Sequence, residues 1–282
     1  MNNKLRTLLK LFLPPIAVKL VRLEIFKKHP YVYAPDGWKT PLKQDHDIGW
    51  NSTSAVEIEK KRWPDFCKAL QGTGPIGFMH EHDDPTEIKE GYHHRNITFA
   101  YVLALAAVGK KSISILDYGG SLGHNYNLAK VLLPEDIKID FHCKEVPLLV
   151  ETGRQLNPDI TWYSDDRCLN NKYDLVIANG VLQCVENWQE LLLKLVGSVG
   201  DYLFLGHLPI VNKSDGFVMH QKRYNTEMLH HQFNRNELLS KIAHPLVREF
   251  LTGVHPYIKN APEQCELRSF LFRAGTKIDR SK

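Results

Sequence analysis

The chain is short of the features that mark several large protein classes. Five cysteines, an odd number with no C-x-x-C pair, suggest neither a disulfide framework nor a structural zinc site, so a reducing compartment is expected. No charge-free stretch in the first 28 residues is longer than Leu11–Val18, well under the ~20 apolar residues of a spanning helix. Lys10, Lys19 and Arg22 interrupt the same region and no small-residue cleavage site follows, which disfavours a secretory signal. Internal repeats and low-complexity tracts are absent. What remains, 282 residues with 43% hydrophobic and 24% charged side chains, is the composition of a soluble globular protein of one large α/β domain with appendages or two small domains.

Charge of one sign is scarce overall, with 36 Lys+Arg against 32 Asp+Glu, but it is unevenly placed. Residues 1–30 hold seven basic side chains and Glu24 alone, a net of +6 that leaves the rest of the chain slightly acidic. No basic stripe with interleaved aromatics follows residue 30, so nucleic acid is excluded as a partner. In the N-terminal segment Leu, Ile, Val and Phe alternate with the cations on both sides of Pro14-Pro15. Such a segment suits a helix lying among anionic headgroups, and a helix packed on the domain or on a partner is the other reading. The expected location is the cytoplasm, with residues 1–28 able to rest on the inner face of the membrane.

Four units are expected: the basic segment 1–30, a connector with helical extension over 31–90, a main domain over 91–275, and a tail over 276–282. Asn51-Ser52-Thr53 offers a helix cap before a stretch to Leu70 with Val56, Trp63, Phe66 and Leu70 on one side, and a second helix is expected from about Glu87 to Val108. From Ser112 onward the strand candidates Ser112–Leu116, Ile137–Cys143, Asp174–Ala178 and Tyr202–Gly206 alternate with helices at Leu122–Leu132, Pro147–Gln155 and Trp188–Val196. That alternation predicts βαβ crossovers and a Rossmann-like, doubly wound, mostly parallel sheet. Leu246–Thr252 and Leu267–Arg273 are expected to pair as an antiparallel edge.

The sequence carries no G-x-G-x-x-G fingerprint and no Walker loop, which argues against nicotinamide, flavin or nucleotide triphosphate chemistry. It does carry Ile115-Leu116-Asp117-Tyr118-Gly119-Gly120-Ser121-Leu122-Gly123, an apolar strand that runs into an acidic residue and a glycine-rich turn opening a helix. Small residues there let a ligand approach the backbone. This turn resembles the first motif of the class I S-adenosylmethionine-dependent methyltransferases, an acidic residue and then Gly-x-Gly-x-Gly, with Ser121 in place of the middle glycine. Glu145 stands 28 positions after Asp117, at the end of the next strand, where the family places a carboxylate that accepts both ribose hydroxyls. Asp165 lies where the family often sets a polar or acidic residue beside the adenine, and Asn179 where the fourth strand exits toward the cofactor. The resemblance spans about residues 90–273. As a whole the chain also resembles a poorly characterised group of bacterial methyltransferases encoded among surface-polysaccharide genes.

The resemblance implies S-adenosylmethionine as cofactor, held by Asp117, Gly119, Gly120, Ser121, Gly123, Glu145, Asp165 and Asn179. It implies methyl transfer to a small-molecule or glycan-precursor acceptor, expected at a hydroxyl. A hydroxyl acceptor benefits from a base, and His207, at the end of the fifth strand, is the first candidate, followed by His220 and Tyr224 in the insertion after it. No metal is expected: in His80-Glu81-His82-Asp83-Asp84 adjacent side chains point in different directions, the pattern of a solvated loop. The alternative is a cofactor-binding or scaffolding protein that keeps the fold without turnover. A nucleotide-sugar enzyme would need a diphosphate-binding feature that the sequence lacks.

Overall fold

The computed structural model describes residues 30–42, 50–76, 90–223 and 226–275. The basic segment 1–28, the His80–Asp84 run, Tyr224 and the tail lie outside the described residues.

Ten strands form the sheet: β1 (Tyr31–Tyr33), β2 (Ser112–Tyr118), β3 (Lys138–Lys144), β4 (Thr161–Tyr163), β5 (Tyr173–Asn179), β6 (Val199–Val211), β7 (Phe217–Arg223), β8 (Thr226–Asn234), β9 (Leu246–Val254) and β10 (Glu266–Arg273). Among the described residues the α-helices are α1 (Thr53–Leu70), α2 (Glu90–Ala107), α3 (His124–Leu132), α4 (Pro147–Leu156), α5 (Trp188–Gly197) and α6 (Arg235–Ser240). Strands β4, β3, β2, β5 and β6 pair in parallel in that order. The chain therefore winds outward from β2 to one side and from β5 to the other, and the crevice between their C-terminal ends is where ligands settle in open α/β sheets. The expected Rossmann-like architecture is present.

Side-chain alternation explains why both faces are covered. Ile113, Ile115, Leu175, Ile177, Phe204 and Leu271 pack with Phe99 and Leu103 of α2 and with α3 and α4. Leu116, Val176, Leu203, Leu205, Phe270 and Phe272 face the other way, onto α5 and α6. Strands buried on both sides read as continuous apolar runs. At the edge, β10 lies antiparallel between β6 and β9, so the two C-terminal runs do pair with each other and β10 also closes on the sheet.

Two features go beyond the sequence reading. Strand β6 continues to Val211, and its end pairs in parallel with Phe233 and Asn234 of β8. The hairpin β7–β8, capped by β1 on β7, therefore extends from the sheet past the C-terminal end of β5 and walls the crevice. Helix α1 is capped by Ser52, whose side chain accepts from the Ala55 N–H, and it buries Ala55, Glu59, Trp63, Phe66 and Leu70 along one stripe. All five cysteines are free thiols. Among the described residues, no helix is long and apolar enough to cross a membrane.

Candidate functional site

A cavity of about 690 Å³ opens at the C-terminal ends of β2, β3 and β5 and along β6, and Gly119, Gly120, Ser121, Glu145, Asn179 and His207 all line it. Residues from the ends of β2, β3 and β5 and from within β6, where His207 lies four positions before the strand ends rather than at its end, thus meet in one space, 88 positions apart at the extremes.

The turn after β2 is shaped for a close approach. Gly119 has φ +80°, and a Cβ there would sit 2.7 Å from Val181. At Gly120 a Cβ would fall 2.4 Å from the Asp117 carboxylate. Ser121 holds φ +52°, the left-handed region that favours glycine. Its hydroxyl donates to Glu59 Oε2 at 3.3 Å, tying the turn to α1. Gly123 does not line the cavity; it caps α3 with φ +89° and packs against Ile160 and Asn157.

Asp117 is fully buried beneath this turn rather than on the cavity wall. Asn125 Nδ2 donates to its Oδ2 at 3.0 Å, while Oδ1 finds no hydrogen-bond partner among the described residues. Burial, with nearby Glu145 adding to it, pushes the Asp117 carboxyl up to about 7. Glu145 is half-buried at the end of β3, and its Oε2 accepts from the Val146 N–H at 2.7 Å. Burial raises its pKa as well, opposed by that backbone hydrogen bond and by the Lys144 charge.

His207 is aimed by a β-bulge. Leu205 faces Phe270 and Leu208 faces Arg268 across β6–β10, so Gly206 and His207 together oppose Ser269. His207 takes φ +55° there, and its N–H donates to the buried Ser269 Oγ at 3.0 Å. A bulge of this kind re-aims a side chain, here into the cavity.

The other expected residues fall elsewhere. Asp165 lies exposed, off the cavity, accepting from the Arg167 N–H at 3.1 Å and pairing with its guanidinium, which holds the carboxyl below its usual range. Its neighbour Asp166 accepts from Tyr118 Oη at 2.8 Å. His220 does not line the cavity and pairs with Glu227 at 3.2 Å. Tyr224 lies outside the described residues. In place of these the structure brings in Glu59 of α1, Arg95 of α2, His124, Gln183 and His230. Glu59 is visible in retrospect as the one acidic residue on the buried stripe of α1. His230, 3.6 Å from the Cys184 thiol, comes from the hairpin, which only tertiary pairing places over the site. Among the described residues, no group of three or more His, Cys, Asp or Glu is placed to hold a metal ion.

No family model and no curated protein matches the chain. Among solved structures, it is similar to magnesium protoporphyrin IX methyltransferase from Synechocystis with bound S-adenosylmethionine, at 15% identity, 82% of this chain, 100% of that one and a TM-score of 0.46. It is also similar to the N-terminal domain of EvdMO1 with S-adenosylhomocysteine bound (15% identity, 83% and 100% covered, TM-score 0.47). DesVI of Streptomyces venezuelae is a third (11%, 62% and 89%, TM-score 0.40). At these identities and TM-scores the likeness carries no functional weight.

Proposed function

We propose that this protein is an S-adenosylmethionine-dependent methyltransferase acting on a hydroxyl of a small molecule or glycan precursor. The observation that carries the reading is the convergence in one cavity of the Gly119–Ser121 turn, the Glu145 carboxylate and the bulge-borne His207. The residues fit the cofactor. Gly119 and Gly120 present bare backbone to the cavity because a Cβ would strike Val181 at the first and Asp117 and Cys143 at the second, and half-buried Glu145 offers acceptor oxygens to a ribose diol. Asp117 supports the turn from beneath, and Asn179 lines the same wall. Glu59 and Arg95, of opposite charge and both on the wall, complement the ammonium and carboxylate of an amino-acid moiety. Asp165 is left out of this set because it pairs with Arg167 on the surface.

When bound, S-adenosylmethionine supplies a methyl group on a positively charged sulfur. The chain's own contribution is to hold the acceptor oxygen in line, exclude water behind the β7–β8 hairpin, and take the hydroxyl proton on a ring nitrogen of His207. Residues 1–28 would keep the protein on an anionic membrane surface. Calorimetry with S-adenosylmethionine and S-adenosylhomocysteine is the test: both should bind one competing site, and absence of binding by the intact protein rejects the reading. Binding without turnover on any hydroxyl acceptor would favour the non-catalytic alternative.

A further inference from the structure

We infer that the mouth of the cavity is itself a bilayer-facing surface, so that the acceptor is one anchored in, or presented by, an anionic lipid membrane. The inference rests on the reading of the cavity as the acceptor site.

After β9 the chain runs along the cavity mouth, where Val254, His255 and Pro256 belong to the lining. Val254 is 79% exposed and Tyr257 55%, an apolar pair standing outward at the rim of a polar site. Single exposed apolar residues are ordinary; a cluster at the opening of a ligand cavity marks a contact surface. A tyrosine suits the headgroup level, where its ring is in the apolar zone and its hydroxyl in the wet one.

One lysine follows this pair in the chain and a second lines the cavity. Lys259 is exposed, and its backbone is locked to β1 through Tyr33 N–H to Lys259 O at 3.0 Å and Lys259 N–H to Tyr31 O at 3.1 Å. Exposed Lys222 lines the cavity, its ammonium 2.8 Å from Glu227. Long amphipathic lysines at an interface reach toward phosphate while their stems cover apolar surface.

The position of Pro30 joins these observations. Its carbonyl accepts from the Lys222 N–H at 3.0 Å, and the next residue, Tyr31, lines the cavity and packs its ring on His255 at 5.2 Å. The sequence before Pro30, with its net of +6 and apolar positions, thus joins the described structure beside the lining residues Tyr31 and His255. Charge complementarity selects anionic lipid as the occupant of this face.

The test is co-sedimentation of the full chain with phosphatidylcholine vesicles and with vesicles containing phosphatidylglycerol. Wild type, Val254→Asp, Tyr257→Asp and Tyr257→Trp are compared, and thermal midpoints confirm that each variant is folded. Wild type and Tyr257→Trp should partition onto the anionic vesicles, and each Asp variant should lower the partition coefficient about tenfold. Asp variants that pellet like wild type, wild type that pellets with neither vesicle, or equal pelleting on both vesicle types would each overturn the inference. Calorimetric S-adenosylmethionine binding without vesicles reports the cofactor site separately. Binding without vesicle attachment rejects the membrane face and leaves the methyltransferase; attachment without binding removes the chemistry on which delivery of an acceptor depends.

Discussion

The His207 N–H donates to Ser269 Oγ at 3.0 Å, 62 positions along the chain, and this bond fixes the bulge that turns the imidazole out of β6 and into the cavity. A left-handed φ at a residue other than glycine persists only when the surroundings over-determine it, and here the buried Ser269 does so. If His207 is the base, His207→Asn, which tolerates the same backbone, should lower turnover by ~10²–10⁴-fold while S-adenosylmethionine affinity stays within about threefold. Steady-state rates and calorimetry on the same preparation decide it; equal turnover moves the proton to His230.

Glu145 and Glu59 reach the cavity from different elements, the end of β3 and helix α1, and should separate by ligand. Glu145→Ala removes a charged acceptor from the ribose and should weaken S-adenosylmethionine and adenosine alike, by about 1.5–3 kcal/mol, or one to two decades. Glu59→Gln should weaken only the ligand with an amino-acid end, leaving adenosine unchanged. Parallel losses for both ligands in both variants would show that Glu59 acts through the turn, by way of Ser121, and not on an ammonium.

The frame was legible in the sequence because it rests on local signals. Strands β2, β3 and β5 and helices α3–α5 stand within two residues of the positions that apolar runs and turn residues indicate. Asp117, Gly119, Gly120, Ser121 and Glu145 share one strand-turn-helix logic: Gly119, Gly120, Ser121 and Glu145 line the cavity, and Asp117 lies buried beneath the turn. The acceptor side was not legible. Hairpin β7–β8 follows β6 through pairings between residues tens of positions apart, and the side chains facing inward from it, Gln221 and His230, carry no local mark of their direction. Asp165 shows the converse: its spacing fits an adenine contact, yet Arg167 two positions on gives it a nearer partner.

Two glycines should respond oppositely to alanine. At Gly119 the positive φ and the 2.7 Å approach of Val181 make a methyl both strained and crowded, so Gly119→Ala should cost about 1–3 kcal/mol in urea unfolding and abolish cofactor binding. At Gly197, the last residue of α5, a Cβ meets open space, and Gly197→Ala should stabilise by about 0.4–1 kcal/mol through the unfolded chain. An unchanged unfolding midpoint for Gly119→Ala would mean that the turn relaxes freely and does not form a rigid cradle.

Asp117 makes the stability of the ligand-free protein depend on pH. Its carboxyl sits at about 7 when folded against a usual value near 3.8, so between those pH values the folded state holds a proton that the unfolded state has lost. Stability is therefore greatest at the acid end of this window and falls as pH rises through 7. Raised Glu145 acts with the same sign. Asp117→Asn keeps the shape and the Asn125 contact on the side-chain oxygen, and it should flatten the slope between pH 5 and 8 and stabilise the protein at pH 8 by on the order of 2–4 kcal/mol. Urea midpoints across that range read the effect; a wild-type slope retained in the variant would assign it to Glu145.

The N-terminal segment and the cavity rim make different demands on membrane attachment, and salt separates them. Each Lys or Arg near an anionic surface contributes about 1 kcal/mol, screened within a Debye length of ~8 Å at physiological ionic strength. Exchanging Lys4, Arg6 and Lys10 together for Gln in the full chain should thus lower the partition onto anionic vesicles by about two decades and reduce its salt dependence, with no change in thermal midpoint. Apolar contacts at the rim are insensitive to moderate salt, so Tyr257→Ser, which removes the ring without adding a charge, should reduce attachment by a similar factor at low and high ionic strength. If the triple exchange leaves partition unchanged at low salt, the three exchanged cations are not meeting lipid, and the segment is a packing helix of the domain or of a partner.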